Sequence, residues 1–167
     1  MDLKSLQRPF KERYRSDPSS SRITLRAEGG RTATPLTCSV DIGRAVYAAE
    51  AHAGTGGPGT GACSGDLLLG ALAARAQITC QLVATALGIE AERIAVSVEG
   101  DLDLRGTLGV SREVPVGFED IRVRFDVVAP GASTEKLAAL REKTEQYCVV
   151  LQTLTRPPTI RSSWTSA

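Results

Sequence analysis

The chain has 167 residues, 42% of them apolar and 23% charged, which is enough to bury one ordinary core. Its formal net charge is +1 and its aromatic content 4%, so it offers neither a basic field nor a stacking surface for nucleic acid. No uninterrupted run of about 18 apolar residues is present, which argues against a membrane span.

Residues 1–20 are charged, poor in apolar positions and end in the breaker cluster SDPSSS. They lack the apolar core of a secretory signal. A mobile or loosely docked segment at 1–20, a single domain over 21–167 and a cytoplasmic location are therefore expected. SRITLRAEGGR then alternates like a strand and ends at Gly29–Gly30. PLTCSVDI supplies the second arm of a hairpin, and RAVYAAEA fits either a third strand or a helix. HAGTGGPGTGACSG, residues 52–65, is a glycine-rich loop. No Gly-Lys-Ser/Thr follows it, so it is not a phosphate loop.

A helix is predicted from Asp66 to Leu87, with Ser64 as N-cap and Gly88 as the stop. It is apolar on nearly every face, as a central helix is. RIAVSVEGDLDL and FEDIRVRFDVVA both alternate and read as strands. A second long helix is predicted from Thr134 to Leu154, with a buried stripe at 137, 140, 148 and 151 and a solvated charged face. Pro157 and Pro158 end it, and TIRSSWTS fits a last strand. The order β-β-β-α-β-β-α-β implies an α+β fold with largely antiparallel sheets and two long helices. The first helix is too apolar for one small sheet to cover, so a twofold homodimer is expected.

The four cysteines, Cys38, Cys63, Cys80 and Cys148, include no C-x-x-C pair, and His52 is the sole histidine. Neither a metal site nor a cofactor is expected. Buried thiols are the simplest reading of Cys38 and Cys80, and a solvated loop side chain that of His52.

Several segments, in order, resemble the OsmC/Ohr family of thiol-dependent peroxidases. GTGGPGTG is similar to the family's glycine loop, DLLLGALAARAQIT to its helix signature, VGFEDIRVRFDV to its long central strand and EQYCVVLQTL to its second cysteine helix. The resemblance implies an intertwined homodimer with sites at the interface. It further implies that a first cysteine attacks a small, often organic, hydroperoxide, that a second resolves the sulfenic acid, and that a dithiol reductant completes the cycle. Cys148 matches the resolving cysteine, although Val149 replaces the usual proline. Arg31, in EGGR, matches the activating arginine. The attacking-cysteine position falls on Arg75 and the glutamate position on Gly65, with Asp66 beside it.

Two of the main catalytic residues are thus absent from their positions, which argues against ordinary peroxidase activity. Cys80 does not replace the missing thiol: five residues along a helix turn it about 140° from Arg75 and carry it about 7.5 Å further. Cys63, just before the helix N-terminus, is the alternative, because a helix terminus favours a thiolate. A Cys63–Cys148 redox pair is one reading. Arg75 needs a carboxylate, an anion or water. Asp66, Glu50 and carboxylates of a second copy are candidate counter-ions. Arg75, with Arg31, would alternatively hold the carboxylate of a small ligand. A non-enzymatic dimer binding a small apolar or anionic molecule in the interface pocket is the competing reading, with no nucleic acid or membrane partner. A plain structural role with a protein partner is the third.

Overall fold

The structure is a computed structural model. It describes residues 3–25, 27–31, 37–43 and 45–166, and only the backbone of residues 3, 4, 6, 28–31 and 37–40. The chain forms two compact units, one of residues 1–70 and 98–123 and one of residues 71–97 and 124–167.

The first unit opens with helix α1 (Leu3–Ser16) and a 3₁₀ turn over Pro18–Ser21. The sequence reading placed no element here. The signal lies in spacing: Phe10 and Tyr14 sit one turn apart with ring centroids at 6.3 Å, and Arg13 covers both rings. Asp17 caps the following turn by accepting the Ser19 N–H.

Strands β1 (Glu28–Arg31), β2 (Thr37–Asp41) and β3 (Val46–Glu50) form an antiparallel sheet in that order. Arg31 stands opposite Cys38, and Thr37 opposite Glu50. The third segment is therefore a strand rather than a helix. The first is much shorter than its alternation predicts, because 22–25 stay outside the ladder.

Helix α2 runs from Ser64 to Ala86. Ser64 is its first residue rather than its cap. Cys63 takes the cap position: its carbonyl accepts the Leu67 N–H at 3.1 Å, and its own N–H donates to Asp66 Oδ2 at 2.9 Å. The latter is one arm of a capping box, with aspartate in the place usual for glutamate. At the other end Gly88, with φ +62°, closes a Schellman turn. Its N–H donates to Thr85 and that of Ile89 to Ala84.

Strands β4 (Arg93–Asp101) and β5 (Asp120–Val128) make a two-stranded sheet. Glu92 bonds to Val128 at one end and Glu119 to Asp101 at the other, so the pair is antiparallel. Between them lies a short helix, α3 (Leu104–Thr107), capped by Asp103, which the sequence reading did not contain. On β5, Arg122 joins Asp101, Asp120 and Glu99.

In the second unit Cys80, Val83 and Ala84 of α2 pack with Ile89 and Leu140, and Ile94, Phe125 and Val127 of the strands close over them. The predicted second long helix is two helices, α4 (Thr134–Tyr147) and α5 (Val149–Thr155), broken at Cys148. Ser133 caps α4 through the Lys136 N–H. Leu140, Thr144 and Cys148 are all buried and spaced four apart, so they form one stripe. The expected last strand is absent: residues 159–166 carry no strand. Five hydroxyl residues and one exposed tryptophan there provide no alternation of buried and exposed positions.

By length and mean hydropathy, 1.5 over its most apolar window, α2 is sufficient to cross a membrane. Counting uninterrupted apolar runs in the sequence missed this, because Arg75 divides the run. The buried residues Leu72, Ala76, Thr79, Cys80 and Val83 give it the character of a core helix, which meets the same criterion.

Candidate functional site

The glycine-rich loop is held to the end of β3 by a single side chain. Glu50 Oε1 accepts the Gly61 N–H at 2.7 Å and Oε2 the Thr60 hydroxyl at 3.1 Å, while the Glu50 N–H donates to Ala62. These donors, the Gly61 N–H foremost, hold the Glu50 carboxyl below its ordinary range. At the loop's other end His52 Nδ1 accepts the Gly54 N–H at 3.0 Å and begins a 3₁₀ turn over Ala53–Thr55. The turn is closed by Gly56 at φ +90°. Gly57 then passes so close to Ala51 that a Cβ would lie 1.6 Å from its carbonyl oxygen. The loop therefore needs glycine at 56 for its dihedral and at 57 for its proximity.

The result is a cleft of about 480 Å³ within the first unit. Leu69, Leu102, Leu104 and Phe118 give it an apolar wall. Glu50, His52, Cys63 and Asp66 face it from the loop and the start of α2. The Asp66 carboxyl is held low, first by the Cys63 backbone N–H, then by the Cys63 thiol, with His52 adding a smaller attraction. Phe118 sits between two glycines. A Cβ on Gly100 would meet its ring at 2.7 Å, and one on Gly65 would meet it at 3.3 Å and Cys63 Sγ at 3.5 Å. At the position where the family resemblance expects a glutamate, the Phe118 ring thus lies in tight contact with the bare glycine.

The structure brings Cys63, Gly65 and Asp66 together on one cleft. Arg31 ends β1 in the same unit, and its side chain, like that of Cys38, lies outside the described residues. Arg75 and Cys148 belong to the second unit. Asp66 and Glu50 are bonded to their own loop, as described. Among the described residues Arg75 has no ion pair, and its Nε is buried without a hydrogen-bond partner. Cys80 is 2% exposed and Cys148 0%, whereas Cys63 is partly exposed; all three are free thiols. Burial pushes the Cys80 thiol up, partly offset by the Thr144 hydroxyl next to it. That hydroxyl makes no hydrogen bond of normal geometry. No group of three His, Cys, Asp or Glu suited to a metal ion occurs among the described residues.

A family profile described as OsmC-like protein matches residues 57–163, from within the loop that forms this cleft to beyond the end of α5. The chain belongs to the OsmC-like family. Solved structures share its fold. An OsmC-like protein from Mycoplasma pneumoniae superposes with a TM-score of 0.67 at 16% identity, over 81% of this chain and 89% of that one. An OsmC-like protein of unknown function from Vibrio cholerae gives 0.64 at 11% identity, over 79% and 94%. An organic hydroperoxide resistance protein from Elizabethkingia anophelis gives 0.59 at 20%, over 82% and 91%. A search of curated proteins finds no match. Within this OsmC-like protein, sequence reasoning singled out Cys63, Gly65 and Asp66 but not Phe118, Gly100, Leu102 or Leu104. Their membership depends on the long β4–β5 connection folding back, and no local pattern announces that.

Proposed function

We propose that this OsmC-like protein binds a small molecule in the Cys63 cleft and does not run the two-cysteine hydroperoxide cycle of its relatives. The observation that carries this reading is the distribution of thiols. A peroxide has to touch a thiolate sulfur, and a thiolate needs a nearby cation or equivalent support. Cys80 and Cys148 are buried, and Arg75 stands where the resemblance expects the attacking cysteine. Cys63 reaches the cleft, but its side-chain neighbour is the Asp66 carboxylate, and among the described residues no lysine or arginine lines the cleft. The apolar wall formed by Phe118 and three leucines supplies the usual driving force for small-molecule binding.

The protein acts as a homodimer in this reading. Helix α2 leaves Leu68 and Ile78 exposed, 38% and 48%, and a second copy would cover them. The buried, unpartnered Nε of Arg75 favours a carboxylate as its missing partner, from that second copy or from a ligand.

A second reading keeps a thiol peroxidase with Cys63 as the attacking sulfur, favoured by its position at a helix N-terminus on a cleft. The test is consumption of an organic hydroperoxide and of hydrogen peroxide with a dithiol reductant, for the intact protein, Cys63→Ser and Cys148→Ser. The expected rate is the free-thiol background in all three. Turnover lost in both variants would overturn the binding reading in favour of a relocated redox pair.

A further inference from the structure

The charge of the cleft narrows what it can hold. Two carboxylates, Glu50 and Asp66, line it together with His52 and Cys63, and among the described residues no lysine or arginine does. Arginine is close in sequence, but it is turned away: Arg105, next to the lining residue Leu104, gives its guanidinium to Asp103 at 2.5–3.1 Å. The carboxylates use backbone and side-chain donors for some of their lone pairs, and a carboxylate oxygen can accept from more than one donor at a time. The Phe118 ring, packed against Gly65 and Gly100, lines the same cleft. An aromatic face attracts a cation. An anionic head would meet two like charges in this space.

Resting on the binding reading above, we propose that the cleft takes an organic cation: an ammonium or similar head against Glu50, Asp66 and the Phe118 ring, with an apolar body along Leu69, Leu102 and Leu104. This differs from the anionic ligand that Arg75 suggests from the sequence, because Arg75 does not line this cleft.

The test compares three probes of one chain length on the intact protein by titration calorimetry: n-octyltrimethylammonium, n-octanol and n-octanoate. In parallel, alkylation of Cys63 by iodoacetamide is followed by peptide mass spectrometry. The expected result is ammonium binding at least tenfold tighter than octanoate, weakened by added salt, with Cys63 alkylation slowed on binding. A Glu50→Gln/Asp66→Asn double variant, checked for folding by circular dichroism, should lose that tenfold preference and keep octanol binding. Octanoate binding as tightly as the ammonium would overturn the cation assignment and leave the binding reading standing. Ammonium binding that leaves Cys63 alkylation unchanged would place the cation elsewhere and overturn the assignment. No binding of any probe would overturn both.

Discussion

Gly57→Ala puts the loop geometry to its hardest test. The added Cβ would lie 1.6 Å from the Ala51 carbonyl oxygen and 2.4 Å from its carbon. The first distance is about that of a covalent bond. Both obstructing atoms are backbone, so no rotamer change relieves the clash. The Gly57 N–H bond to the His52 carbonyl, 3.1 Å long, would have to stretch or break. Overpacking of this kind costs about 1–3 kcal/mol. Alanine also restricts the unfolded chain, which returns about 0.4–1 kcal/mol. With backbone on both sides of the clash the upper end of that cost applies, about 2–2.6 kcal/mol net, and the melting temperature should fall by roughly 4–10 °C for a chain of this length. Binding in the cleft should weaken as well, because His52 and Thr55 hang on the displaced loop. Gly131→Ala is the control: no atom lies within 4 Å of its Cβ and its φ is not positive. It should melt within a few degrees of the parent or slightly above. Circular dichroism melts of the two variants side by side decide the matter. Equal melting of Gly57→Ala and Gly131→Ala would refute the close approach of residues 51 and 57.

Four more outcomes follow from the geometry. Leu72→Ala empties a position 1% exposed and should cost about 2–5 kcal/mol, read from the shift of the urea midpoint. Thr144→Val removes a buried hydroxyl without a hydrogen-bond partner, so it should be neutral or stabilising by up to about 1 kcal/mol in the same assay. In a Cys38→Ser background, a thiol-reactive disulfide reagent should modify Cys63 in the native protein, and Cys80 and Cys148 only on unfolding. Stability should fall off at both pH extremes. Glu50 and Asp66 titrate below their ordinary 4.5 and 3.8 when folded, so their contribution is present above those values and is lost as acid is added. Cys80 titrates above its ordinary 9.0 when folded, so the folded state loses stability as the pH rises past that value. Denaturation followed against pH should show Glu50→Gln flattening the acid limb and Cys80→Ala the alkaline one.

Much of the architecture was readable in the residues because it is local. The alternation in 93–101 and 120–128, the apolar run after Asp66 and the Gly88 stop each depend on neighbours within a few positions. Helix α1 was not readable, because Pro9 and the many charges conceal a short apolar spacing. Nor was the break at Cys148, since valine follows it and no proline or glycine marks it. At the site, the loop and the cap were legible as Cys63 and Asp66. The carboxylate of Glu50 was visible only as a possible counter-ion, because its true partners, Thr60 and Gly61, lie ten and eleven residues away. Phe118 could not be found from the sequence, since what defines it is the space left by two distant glycines.

The break between α4 and α5 is turned by main chain at Cys148 and tied by one side chain, Gln152, whose Nε2 donates to the Glu145 carbonyl at 2.9 Å. Cys148 adopts φ −75° and ψ 99°, gives its N–H to Thr144 and accepts the Gln152 N–H on its carbonyl. No side chain takes part in capping α5. Val149 holds the first helical position, where the helix makes no use of an N–H and proline is at home. Valine and proline are therefore interchangeable spellings of the same bend. The bend that sets Cys148 between two helices thus stands in this chain without a proline.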